Sequence, residues 1–168
     1  MLAAELEDLM RHMEWADSLV WNAVLALPEA QSDSDLRVRL HHMHTVQWVY
    51  LQIWRGEPID MRDLSSFENL RAMHAWVRDY YRNVPDYYAT VDAEALGRDV
   101  QLPWSDHLVE RWGSARSTTL AETILQVNYH TTYHRGQINS RLRQLDGEPP
   151  LTDFIAWIWM DRPAAEWQ

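Results

Sequence analysis

His130 and His134 stand four residues apart within Asn128-Tyr129-His130-Thr131-Thr132-Tyr133-His134-Arg135-Gly136-Gln137. On a helix that spacing projects both imidazoles from one face, so both can reach a single cation. Spacing alone is weak evidence, because eight histidines among 168 residues give ~0.4 such pairs by chance. Position adds weight. The pair interrupts an apolar stripe of Leu120, Ile124, Val127, Ile138 and Leu145 that also takes in Arg141. Imidazole nitrogens buried in a helical core need partners. A metal ion is one such partner; nearby Asn, Tyr or backbone groups are the alternative.

A third ligand can come from Leu40-His41-His42-Met43-His44. His42 aligns with Val38, Val46, Val49 and Ile53, the most apolar stripe on that helix. His41 shares its side with Thr45 and Gln52 and is expected to face solvent. His44 lies with Leu40, Gln47 and Leu51 on an intermediate flank. His42 is therefore the inward-facing candidate, with His44 in reserve. Three imidazoles on two helices leave the open coordination positions that catalytic sites use. Nitrogen ligation suits Zn, Ni or another late divalent metal. Thr131 stands where a His-Glu-x-x-His metalloprotease has its general-base Glu. The Glu-x-x-His pairs of a di-iron bundle are also missing. No residue is assigned a catalytic role.

The elements that must position these side chains follow from apolar periodicity and punctuation. A first helix runs from about Leu2 to Leu27 and is stopped by Pro28. A second begins near Ser34 as N-cap and reaches Arg55, closed by Gly56-Glu57-Pro58. A third opens at Ser65 and Glu68, which have capping-box spacing, and Pro85 either kinks or ends it. Residues 92–116 are the least regular, with Val100-Gln101-Leu102-Pro103-Trp104 read as extended chain. The fourth helix starts at a Thr119/Glu122 capping box and ends before Gly147, Pro149 and Pro150. Asp153 to Met160 form a short fifth helix across the bundle. The expected fold is all-α: a four-helix bundle with a short additional C-terminal helix, in one domain spanning 1–168.

Composition bounds the chemistry. There is no cysteine, which removes disulfides, sulfur ligands and a cysteine nucleophile. The net charge of −10 argues against nucleic-acid binding, which depends on Lys and Arg neutralising phosphates. No apolar run approaches the ~18 residues of a membrane span, and the first residues lack a signal-peptide pattern. A cytoplasmic protein acting on a small molecule is expected. Ten Trp stand against two Phe, and composition does not say whether they serve a core, an interface or a cleft.

Gln137 and Asn128 are candidates for orienting the imidazoles, while Arg135 is read as a surface or interface ion pair. His12, His74 and His107 have no partner at ligand spacing and are read as ordinary. Asp153 is read as the start of the last helix, and Trp54, Trp157 and Trp159 as packing residues.

Taken together these residues resemble the DinB/YfiT-like family over nearly the whole chain. The resemblance is carried by Trp15-Ala16-Asp17, by Leu40-His41-His42 with Tyr50 and Arg55-Gly56-Glu57, and above all by His130-Thr131-Thr132-Tyr133-His134-Arg135-Gly136-Gln137-Ile138. Leu145, Gly147, Pro149 and Asp153 follow in family order. The resemblance implies up-down-down-up connectivity, frequent homodimers, and a divalent metal held by His42, His130 and His134. Asp17 departs from the family's common Asn. Characterised relatives include transferases that use low-molecular-weight thiols such as bacillithiol or mycothiol. A thiol transferase is therefore the leading expectation. A metal-dependent hydrolase and a non-catalytic metal or small-ligand binder are the alternatives. A chain without cysteine would take its sulfur nucleophile from a cosubstrate.

Overall fold

The computed structural model describes residues 3–168, with side chains from residue 5 onward. Leu2, read as the start of the first helix, lies outside the described residues. Helix α1 spans Ala3–Ala26, α2 Ser34–Arg55, α3 Leu70–Tyr88, α4 Ser105–Trp112, α5 Leu120–Gln144 and α6 Phe154–Trp159. Strand β1 (Asp99–Val100) pairs antiparallel with β2 (Thr118–Thr119), placing Asp99 opposite Thr119 and Val100 opposite Thr118. The described chain is thus predominantly helical, with a single two-residue ladder. No described helix is long and apolar enough to cross a membrane.

The four long helices pack in a ring: α5 lies against α2 and α1, and α3 completes it by touching both. The core inside the ring includes Met13, Val20, Leu36, Leu40, Met43, Leu51, Met73, Val77, Ile124, Val127 and Ile138, all essentially inaccessible to water. Burial of each such side chain contributes ~1.5–3 kcal/mol. A second small cluster joins Trp15 and Ala16 of α1 to Trp157 of α6, so α1 is covered on two sides.

Local signals set most boundaries. The Thr119/Glu122 capping box forms as expected, with Thr119 Oγ1 accepting from the Glu122 N–H and Glu122 accepting from the Thr119 N–H. Gly56 takes the left-handed conformation (φ 69°) and ends α2. The N-cap of α2 is Asp33 and not Ser34: its carboxylate accepts from the Leu36 N–H at 2.7 Å and also from Arg141 of α5. The two carboxylate oxygens together accept from the Leu36 N–H and from both Nε and Nη2 of Arg141, one more bond than the lone pairs of a single hydroxyl oxygen allow. The Ser65/Glu68 capping box does not form. Leu64–Ser66 is a 3-10 turn, and α3 starts five residues later than Ser65, capped by Asn69 accepting from the Ala72 N–H at 3.0 Å. Pro85 sits in the last turn of α3 and does not end it, because the helix continues to Tyr88. Only Val100 of the stretch read as extended is in a strand. Helix α4, in the region read as irregular, buries no residue and so leaves no core-facing pattern.

Four of the ten tryptophans, Trp15, Trp21, Trp54 and Trp157, are buried in the interior. Trp21, Trp54 and Trp157 are buried and their indole N–H groups donate to His44, Thr123 and the Pro163 carbonyl. Trp159, read as packing, is instead 78% exposed.

His74 of α3 is buried between the rings of Trp21 and Trp167, and its Nε2 has no hydrogen-bond partner among the described residues. Burial, with Arg78 next in effect, pushes its pKa from 6.5 down to about 4. The native state therefore refuses a proton that the unfolded chain accepts below pH 6.5. Stability is complete above that pH and falls as pH drops toward 4, by at most ~1.4 kcal/mol per pH unit from this residue. Urea unfolding at pH 7 and pH 5 is expected to show the lower midpoint at pH 5, and His74→Phe is expected to shrink the difference.

Candidate metal centre

Helices α2 and α5 form the closest helix pair in the ring, and their seam brings His42, His130 and His134 together. Each offers one ligand nitrogen, and these nitrogens lie within 4.8 Å of one another. The Nε2 atoms of His42 and His130 face each other at 3.2 Å. Two nitrogens on one tetrahedral zinc at ~2.05 Å stand ~3.3 Å apart, so this separation fits a shared cation. The ring of His134 lies 4.3 Å from that of His130 and 4.6 Å from that of His42, centroid to centroid.

The protonation pattern suits ligation. The Nδ1–H of His134 donates to Gln137 Oε1 at 2.9 Å, which leaves its Nε2 lone pair free. Arg39 donates to the same oxygen at 3.4 Å, so two donors fix which end of the amide faces the ring. His42 and His130 are both biased toward the neutral form, chiefly by burial and then by neighbouring histidines. For His130 the pKa falls to about 4. His130 and His134 are half-buried and His42 is exposed, so one side of the cluster is open to solvent. An all-imidazole donor set with an open side can bind a divalent cation and still admit a ligand to it.

His42 does not face the core as expected. Val38, its supposed core-facing companion, is 51% exposed, and His42 itself is the most exposed of the three. The buried stripe of α2 is Leu36, Leu40, Met43, Gln47, Leu51 and Trp54. His44 goes inward with it. Its Nε2 accepts from Trp21 Nε1 at 2.8 Å and its Nδ1–H donates to Gln47 Oε1 at 2.7 Å. Both nitrogens are engaged, so His44 is no substitute for His42. Counting apolar residues misplaced the core face because the true face carries polar residues bonded to one another. His41, expected in solvent, is half-buried; it stacks on Trp76 and donates to the Arg62 carbonyl at 2.7 Å.

Beneath the cluster lies a network that spacing did not reveal. Asp17 of α1, fully buried, accepts from Arg135 Nε of α5 at 3.0 Å, from Gln47 of α2 at 3.0 Å and from the Tyr81 hydroxyl of α3 at 2.5 Å. Gln47 also donates to Thr131, between the two α5 histidines. Arg135 is therefore an ion pair, as read, but a buried one and not at the surface. Gln137 does orient an imidazole. Asn128 does not: it donates to the Ile124 carbonyl and Met10 Sδ. His12 is tied down through Nε2–H to the Thr152 carbonyl at 3.0 Å.

The fold and cluster define an all-α protein with a three-histidine site, able to hold a metal ion, on the seam of two long helices. The DinB family model matches residues 1–167, essentially the whole chain, and the chain belongs to that family. No curated protein matches the chain closely enough to add a named relative.

Proposed function

We propose that the chain is a metal-dependent enzyme that transfers a group to a low-molecular-weight thiol at His42, His130 and His134. The observation that carries this reading is the convergence of three imidazoles on one point, with His42 and His130 biased toward the neutral form that ligates. Family membership supports it. Bound there, Zn or Ni would lower the pKa of a thiol or water brought to its open positions. His42, His130 and His134 would hold the cation; Gln137 would hold the His134 ring. In the transfer, the cosubstrate sulfur bonds to an electrophilic carbon, the leaving group departs with its electron pair, and the thiol proton goes to solvent. The reading includes up-down-down-up connectivity, a homodimer in solution and a cytoplasmic setting, and no nucleic-acid or membrane partner.

Exposure of His42 also leaves the cluster open to water, which supports a hydrolase as the second reading. A protein that binds metal or a small ligand without turnover is the third. Elemental analysis of protein purified without an affinity tag and supplied with Zn or Ni is the direct test. About one metal per chain is expected, and none would end the proposal. Turnover of electrophiles with thiol, but not without it, then separates transferase from hydrolase. No turnover in either assay favours the binder. Gln137→Ala is expected to weaken metal binding ~10–100-fold in a chelator competition, because the outer partner orients a ligand ring.

A further inference from the structure

On the other flank of α5, a cleft of about 380 Å3 opens between α1, α5 and residues 152–154. Asn128, Thr132, Gly136 and Asn139 line it. They recur at steps of three and four on the side of α5 turned away from His130 and His134, so this cleft is separate from the metal centre. Its volume falls within the ~300–1,000 Å3 usual for small-molecule sites.

Three observations point to an occupant. Arg135 lines the cleft and is only 3% exposed, yet of its five N–H groups the one on Nε is held by Asp17, while Nη2 has no hydrogen-bond partner among the described residues. A buried guanidinium left with unused donors is costly unless an acceptor reaches it. Gly136 is a poor residue for a helix interior, and a Cβ there would meet nothing within 4 Å. No neighbour requires the glycine; its effect is to keep the cleft open. The far wall is also preset. His12 holds the Thr152 carbonyl, and the Phe154 ring stands edge-on to His12 at 5.1 Å.

The charges select the ligand class. Arg135 is already paired with Asp17, and the other charged lining residue is the carboxylate Asp153. An anion therefore gains little, whereas a neutral carbonyl oxygen can accept from the guanidinium while an attached N–H donates to a carboxylate or amide oxygen. We propose that this cleft binds a small neutral amide, its carbonyl toward Arg135 and its apolar body against Phe154.

The test is an amide chemical-shift titration of the full chain with benzamide, using benzoate and benzylamine as charged counterparts. Benzamide is expected to give saturable shifts at Thr132, Gly136, Asn139 and Thr152. Benzoate and benzylamine should bind about tenfold more weakly or worse. Gly136→Leu, whose Cβ meets no neighbour within 4 Å and whose longer side chain enters the cleft, should abolish the benzamide shifts while metal loading is retained. Non-saturable shifts, equal binding of the charged compounds, or unchanged binding by Gly136→Leu would each overturn the proposal. So would a dimer in solution that Gly136→Leu dissociates, since a second copy would then cover this face.

Discussion

His130→Ala is expected to lower divalent-metal affinity by at least about 100-fold while the protein stays folded. Loss of an outer partner alone commonly costs ~10–100-fold, and removing one of three ligands costs more. The fold should tolerate the change because His130 is half-buried and its Nδ1 has no hydrogen-bond partner among the described residues to abandon. His42→Ala is expected to behave the same way. His44→Ala should do the opposite: it strands the Trp21 N–H and the Gln47 carbonyl, destabilising by ~1–3 kcal/mol, and leaves all three ligand nitrogens in place. Chelator competition and urea unfolding on the three variants separate these outcomes. If His44→Ala loses metal and His42→Ala keeps it, the site is wrongly drawn.

Asp17→Ala is expected to be the most damaging single change to stability, at ~3–5 kcal/mol. It leaves the buried Arg135 without its counterion and the Tyr81 hydroxyl without its acceptor, while the Gln47 amide nitrogen keeps only Thr131 and Tyr81 as acceptors. For a chain of this size that is a fall of roughly 10 °C or more in Tm. Replacing both partners, Asp17→Leu with Arg135→Met, should recover most of the loss, because the penalty lies in the unpaired charge and not in the missing attraction. A double variant no more stable than Asp17→Ala would show that the pair does more than neutralise itself.

The sequence was most legible where a signal is local. The capping box at Thr119 and the 3.6-residue stripe beyond it placed α5 well, and Gly56 ended α2 where expected. It was less legible where two signals of one kind compete. Ser65 and Asn69 can both cap a helix, and Asn69 does so because Ser65 is itself taken up inside the 3-10 turn Leu64–Ser66. It was silent where the partner is remote. Asp17 and Arg135 are 118 positions apart, and neither residue's immediate neighbours announce a buried pair. The histidine cluster falls between these cases. Helical spacing links His130 to His134, but His42 joins them only through the α2–α5 packing, from a flank of α2 outside its buried stripe. His44, the residue of that run that does enter the core, does so because Trp21 and Gln47 satisfy it, a pairing that no apolar count detects.

The short ladder between Asp99–Val100 and Thr118–Thr119 clasps the two ends of an excursion whose residues 106–117 are all exposed. The clasp sits immediately before the first turn of α5, and beyond Leu102 and Trp104, which pack on the core, the exposed residues 106–117 add nothing to the packing around the helix carrying two of the three histidines. Such a segment is free to drift in length and sequence over evolutionary time, and it is a natural graft point for a fused reporter or an appended binding loop.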